Sequence, residues 1–200
     1  MKQARSKANR WEDHYARKAQ RESFPARSVY KLKEIQRKYK IIKKGNKILD
    51  LGCAPGSWLL YAAEVTGADG LVIGVDQKPV SIQAPTHVRI YTADIFSIDP
   101  AFLDSIGKDF DVILSDMAPK TTGHKHVDAT RSLALCRAAL SLANRLLLAG
   151  GVFVCKIFAG EDAKAFSDAI KKDFYTHKVF KPQSSRKASK EIYVIGLGKK

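Results

Sequence analysis

Lys47-Ile48-Leu49-Asp50-Leu51-Gly52-Cys53-Ala54-Pro55-Gly56-Ser57-Trp58 is the stretch that decides the fold. A short, mostly apolar run stops at Gly52, and a helix-compatible segment, 57–66, starts just after Gly56. An apolar run that halts at glycine reads as a buried strand turning into a helix. The alternation continues outward. Residues 71–76 (LVIGVD), 88–92 and 111–116 (DVILSD) read as the second, third and fourth strands. A Leu/Ala-rich helix covers 128–148 and breaks at Gly150-Gly151, and 151–157 (GVFVCKI) makes a fifth strand. A helix over 161–174 follows, and 175–180 and 191–197 form a closing pair of strands. Upstream, Val29, Leu32, Ile35, Tyr39 and Ile42 recur at helical steps, with Lys31, Lys33, Arg37, Lys38 and Lys40 on most other positions. This predicts an amphipathic basic helix ending near Gly45. Alternating elements of this kind predict an α/β fold, a doubly wound, mostly parallel seven-stranded sheet with helices on both faces.

Charge divides the 200 residues into three. Residues 1–47 hold 16 Lys/Arg against 4 Asp/Glu, and residues 171–200 hold 9 against 2. The centre, 48–170, is mildly acidic with 10 against 14, within a net charge of +15. Basic flanks around an acidic core suit a polyanionic partner such as nucleic acid. Residues 1–24 show no steady period and read as a basic flexible arm, leaving 25–200 as a single domain. Cys53, Cys136 and Cys155 are odd in number with no C-x-x-C pair, which argues against a disulfide framework or structural zinc. His124 and His126 lack a third ligand at useful spacing, so no metal is expected. No apolar signal core and no run of the ~18 apolar residues a membrane helix needs is present, so the expectation is a soluble, cytoplasmic protein.

Ligands of doubly wound sheets sit beyond the carboxyl ends of the strands. The glycine turn here is spaced G-x-x-x-G rather than the G-x-G-x-x-G that seats a pyrophosphate, and Pro55 removes a backbone N–H a phosphate would use. Asp76 ends the second strand, placed for ribose hydroxyls, and Asp94 follows the third, placed for an adenine or ribose edge. Such carboxylates also serve as turn formers and helix caps. Their order along the chain favours a nucleoside-bearing cofactor without a phosphate.

The segments 26–32 (ARSVYKL), 50–58 (DLGCAPGSW), 115–119 (SDMAP), 154–158 (VCKIF) and 184–191 (SSRKASKE) together resemble the FtsJ family of ribose 2′-O-methyltransferases. The resemblance runs from about Ala26 to Lys199. It implies the Rossmann-like methyltransferase fold, S-adenosyl-L-methionine as cofactor, and transfer of its methyl group to a ribose 2′-hydroxyl of RNA. The substrate it implies is a uridine of large-subunit ribosomal RNA, free or in the large subunit, with a monomeric enzyme. The family's Lys-Asp-Lys-Glu tetrad falls on Lys31, Asp116, Lys156 and Glu191, and its cofactor positions on Gly56, Trp58, Asp76, Asp94 and Asp116. Two departures are Cys53, where another small residue is commoner, and Lys120, where Asn is usual.

The residues agree with this on physical grounds. A ribose hydroxyl is a poor nucleophile until its proton leaves, and a lysine ammonium beside it stabilises the developing alkoxide. A neutral lysine acting as base is the alternative, but adjacent carboxylates favour the ammonium. The basic helix, the arm and residues 181–190 are expected to track phosphates, with Tyr30 and Trp11 available to stack on bases. Rival readings are transfer RNA or a messenger RNA cap as substrate, a non-catalytic RNA-binding ribosome-assembly factor, and a nicotinamide-dependent oxidoreductase.

Overall fold

The described residues of the computed structural model are 7–120, 122–186 and 188–200, with the backbone alone for 7–13 and 125. The elements in chain order are α1 (Lys7–Arg21), α2 (Val29–Tyr39), β1 (Lys47–Leu51), α3 (Ser57–Thr66), β2 (Leu71–Asp76), β3 (Val88–Thr92), α4 (Pro100–Ile106), β4 (Phe110–Ser115), α5 (Lys125–Leu146), β5 (Leu147–Phe158), α6 (Glu161–Asp173), β6 (Phe174–Phe180) and β7 (Glu191–Lys199). They form one seven-stranded sheet in the order β3-β2-β1-β4-β5-β7-β6. β7 runs antiparallel to both neighbours, and the other pairs are parallel. The expected α/β architecture is therefore present.

The sheet is covered on both sides because its central strands are apolar on both faces. Leu49, Leu51, Ile113, Phe153 and Cys155 pack with α5 and α6. Ile48, Val112, Leu114, Val154 and Ile195 pack with α2 and α3. Both sets are buried, as parallel strands flanked by helices require. From β1 the chain proceeds to β2 on one side, while β4 lies on the other, so a crevice opens beyond their carboxyl ends.

Three stretches differ from the sequence reading. Lys7–Arg21 is helical where an arm without regular structure was expected. It meets the body through buried Ala19, the Tyr15 ring 5.1 Å from that of Tyr30, and Lys18 Nζ 4.9 Å over the Tyr30 ring. Two apolar positions four apart make too short a stripe to stand out as a period. The side chain of Trp11 and residues 1–6 lie outside the described residues. α2 ends at Tyr39 rather than near Gly45, because Lys40 adopts a left-handed conformation (φ 50°) and Gln36 hydrogen-bonds both Ile42 N–H and Ile42 C=O. Ile42 keeps the helical spacing yet is buried from the loop, as is Ile41 beside it. Finally, α4 was not anticipated, although Asp99 caps it by accepting Ala101 N–H at 2.8 Å and Pro100 opens it.

Candidate active site

Sheet register brings the site together. Leu51 pairs with Ser115 and Ser115 with Cys155, so Gly52, Asp116 and Lys156 sit at one level along three adjacent strands. β7, being antiparallel, starts at this same edge: Lys156 pairs with Tyr193 and Phe158 with Glu191. A strand beginning thus meets the strand ends, and Glu191 joins Asp116 and Lys156.

The four tetrad residues converge. Lys156 Nζ is 3.0 Å from Asp116 Oδ1 and 4.0 Å from Glu191 Oε1. It also donates to the Asp116 main-chain carbonyl. Lys31 Nζ donates to Glu191 Oε2 at 2.8 Å. Lys156 is buried, and the Asp116 and Glu191 side chains are 15% and 21% exposed. Two cations and two anions therefore neutralise one another at low exposure, the condition for keeping charge there. Burial pushes the Asp116 carboxyl up, but the Lys156 and Lys31 ammonium groups and the Tyr193 hydroxyl outweigh it and hold it below the ordinary carboxylate range.

Tyr193 is a site residue the sequence reading missed. Its hydroxyl donates to Asp116 Oδ1 at 2.6 Å. Burial first, then the Asp116 charge, raises the phenol well above its usual value, so it stays a donor. An aromatic in the apolar run of β7 looks like core from sequence alone, and its partner is 77 positions away.

Over the switch point lies a cleft of about 630 Å³. Asp76 and Asp116 stand in its wall, with Leu51, Val75, Ile95 and Met117 among the apolar lining and Lys120 and Arg131 among the basic. Asp76 Oδ2 accepts Ala54 N–H at 2.9 Å and Oδ1 accepts Lys78 N–H at 2.8 Å, which fixes the carboxylate and leaves a lone-pair site on each oxygen.

The other cofactor positions do not line this cleft. Asp94 is exposed beside it, and its Oδ1 accepts Phe96 N–H at 3.0 Å, the turn-forming role. Gly56 (φ 109°) packs against the segment after β2: a Cβ there would stand 2.8 Å from Ile82 Cδ1. Trp58 is buried on the α2–α3 side, with its ring 5.7 Å from that of Tyr193. Its Nε1–H donates to Ser28 C=O at 2.8 Å, and Ser57 Oγ accepts Ala26 N–H at 2.7 Å. The side chain expected at the cofactor thus fixes the start of α2, and through it Lys31. The reason is helical geometry: position two of α3 points back into the body, away from the crevice.

The basic helix is also not uniform. Lys33 is half-buried and already engaged by the protein, pairing with Glu22 at 2.6 Å and lying 4.4 Å over the Phe24 ring. Tyr30 is buried, as a core residue is. Arg37, Lys38 and Lys40 remain exposed. Asp128 caps the loop before α5 by accepting from Thr122 N–H, Thr122 Oγ–H and Gly123 N–H. Among the described residues, no group of three His, Cys, Asp or Glu is placed to hold a metal ion. Nor is any helix there long and apolar enough to cross a membrane.

A doubly wound sheet with a nucleoside-sized cleft at its switch point, edged by a buried lysine–carboxylate cluster, defines a Rossmann-like transferase architecture. The family model described as FtsJ-like methyltransferase matches residues 24–199, and the chain belongs to that family of enzymes. The ribosomal RNA large subunit methyltransferase E of Desulforapulum autotrophicum is 56% identical over 194 residues, covering 97% of this chain and 96% of the relative. The protein of that name from Desulfatibacillum aliphaticivorans is 54% identical over 200 residues, covering 100% and 97%. A crystal structure of a ribosomal RNA methyltransferase from Plasmodium falciparum superposes with a TM-score of 0.76 at 28% identity, covering 88% of this chain and 98% of that one.

Proposed function

We propose that this methyltransferase moves a methyl group from S-adenosyl-L-methionine to the 2′-hydroxyl of a ribose in large-subunit ribosomal RNA, a uridine, acting in the cytoplasm as a monomer. Residues 25–200 constitute the catalytic domain, and the basic segment before it adds phosphate contacts. The observation that carries the reading is the Lys156 ammonium held 3.0 Å from Asp116 beside the cleft.

The cleft suits this cofactor. Its walls offer apolar side chains and two carboxylates, and the turn between β1 and α3 turns inward, Gly56 N–H donating to Cys53 C=O at 2.6 Å instead of facing a phosphate. Asp76 would hold the ribose hydroxyls, and Asp116 the cationic methionine end, with Asp94 at the adenine edge. Gly56 and Trp58 act through the course of the turn and the packing of α3. When bound, the cofactor supplies an electrophilic methyl on a sulfonium.

The chain's own part is electrostatic and positional. Two of the three Lys156 donors are held by Asp116, one on its carboxylate and one on its carbonyl, so the third is aimed by constraint. That ammonium stabilises negative charge on the attacking oxygen as its proton leaves to solvent water. Glu191 bridges Lys156 and Lys31, keeping both cations at the mouth. Holding hydroxyl and methyl in line supplies a further share, up to ~7–11 kcal/mol in well-oriented systems.

The test is transfer of labelled methyl from S-adenosylmethionine to separate pools of unmodified large subunits, free ribosomal RNA and transfer RNA, followed by digestion and mass spectrometry of nucleosides. A 2′-O-methyluridine from large-subunit RNA, absent with Lys156→Ala, is the expected result. Label on a base would overturn the ribose assignment, and label on transfer RNA alone the substrate assignment.

A further inference from the structure

Glu34 has no part in the chemistry above, yet it is an acid set into a basic surface. Half-buried on α2, it uses both carboxylate oxygens on the β6–β7 loop: Oε2 accepts Gln183 N–H at 2.7 Å and Oε1 accepts Ser184 N–H at 2.8 Å. That loop, residues 181–190, contains Lys181, Arg186, Lys187 and Lys190 and no acid. Its described residues form neither helix nor strand. Mutual repulsion among these cations, and with the basic face of α2, works against holding the loop near the helix. Glu34 opposes this with two charge-assisted bonds. Arg27 completes the grip, donating Nη2–H to Ser184 C=O at 2.7 Å. Ser184 is therefore held at its N–H from α2 and at its carbonyl from the turn just before α2.

Between α2 and this loop runs a groove of about 450 Å³, walled by Arg27, Ser28, Ser184 and Arg186. It reaches the tetrad at Lys31 and Glu191 and shares no lining residue with the larger cleft. A nucleic-acid strand lying in this groove would reach the tetrad past residues that do not line the cofactor cleft.

We propose that Glu34 is a positioning residue for the RNA: by gripping the Gln183–Ser184 turn, it sets the wall of the groove that receives the strand flanking the target ribose. The inference rests on the RNA reading above. Its sign separates it from the simpler account. A mere surface anion repels phosphates, so removing it tightens RNA binding. Removing a positioning anion frees the loop, whose ordering must then be met at binding, so RNA binding weakens.

The experiment compares Glu34→Ala, Glu34→Asp and Glu34→Gln by steady-state kinetics on large-subunit RNA, cofactor calorimetry and hydrogen exchange of a peptide covering 181–190. Glu34→Asp keeps the charge and loses the reach, and Glu34→Gln keeps the reach and one acceptor. For Ala and Asp the KM for RNA is expected to rise at least about tenfold, from loss of two charge-assisted bonds. In both, kcat should stay within about threefold and cofactor affinity should not move. Faster exchange of the loop amides accompanies this, and Glu34→Gln falls between these variants and wild type. A KM unchanged or lowered in Ala and Asp, or unchanged loop exchange, overturns the proposal. If Ala or Asp lose cofactor binding by unfolding, the near-isosteric Gln variant decides, and wild-type KM and exchange in it sink the idea. Failure of the wild-type enzyme to methylate the RNA refutes the underlying reading instead, and the loop exchange still reports on Glu34.

Discussion

Replacing Lys156 with methionine keeps the length of the side chain and removes its charge. At 3.0 Å the pair with Asp116 has a Coulomb attraction of about 5–6 kcal/mol at an effective dielectric of ~20. That attraction offsets the desolvation of both groups, so it is not the catalytic loss. The catalytic loss comes from the attacking oxygen, whose developing charge would face the Asp116 and Glu191 carboxylates without the intervening ammonium. Removing one preorganised donor typically costs about 10²–10³ in kcat, or ~2.7–4 kcal/mol, and two bare carboxylates place the expectation at the upper end. A sulfonium cofactor is itself a cation, so losing a nearby ammonium should leave its affinity unchanged or tighter. The assay is single-turnover methyl transfer to large-subunit RNA across pH 7 to 9, with cofactor binding by calorimetry. The rate should fall at least about a hundredfold in Lys156→Met, while the proposed electrostatic role has wild type flat across the range. Retention of more than a tenth of wild-type kcat, or a steep wild-type rise through a basic pKa, would refute the electrostatic role.

Trp58→Phe removes the donor to Ser28 C=O, a loss of about 1–3 kcal/mol that lowers the unfolding midpoint by roughly 3–8 °C. Cofactor affinity should change by less than about threefold, since the indole faces away from the cleft; a tenfold weakening with unchanged stability by scanning calorimetry would contradict its placement. Charge reversal of Arg37 and Lys38 should weaken RNA binding and lower the slope of log K against log salt by about 0.7–0.9 for each phosphate no longer neutralised, with cofactor binding intact. An unchanged slope would remove these side chains from the RNA surface. Asp50 is fully buried without a hydrogen-bond partner, and burial, then Asp116 and Asp76, raises its carboxyl well above the usual range. A raised carboxyl contributes stability that is complete below the unfolded value of ~3.9 and is lost as pH rises. Asp50→Asn should therefore unfold at a higher temperature than wild type at pH 8 and lose that advantage near pH 4; the reverse order in thermal scans would count against it.

The tetrad was assigned through the family resemblance, and two of its members are also conspicuous as charges beside apolar runs: Lys156 interrupts GVFVCKIF, and Asp116 ends an equally apolar strand. The sheet was legible for a related reason, since its central strands are apolar on both faces and stop at glycine or aspartate. What escaped notice depends on contacts distant in sequence. Trp58 carries no mark of the side of α3 to which it belongs, and only the Ser28 carbonyl reveals it. Lys33 is indistinguishable from Arg37 until Glu22 and Phe24 fold against it. Ile42 continues the rhythm of α2 although Lys40 has already turned the chain. The antiparallel direction of β7 likewise has no local signature.

That direction bears on when the enzyme first becomes competent. Lys31 and Glu191 are 160 positions apart, and among the described residues β6 has no sheet neighbour except β7. During synthesis from the amino end, β1 to β5 can associate and shape the nucleoside cleft, while β6 waits for a strand not yet made. Contacts of such long span also close slowly. A nascent chain can therefore gain its nucleoside cleft well before the Lys31–Glu191 pair, which closes only when the last strand slots between two others already emerged.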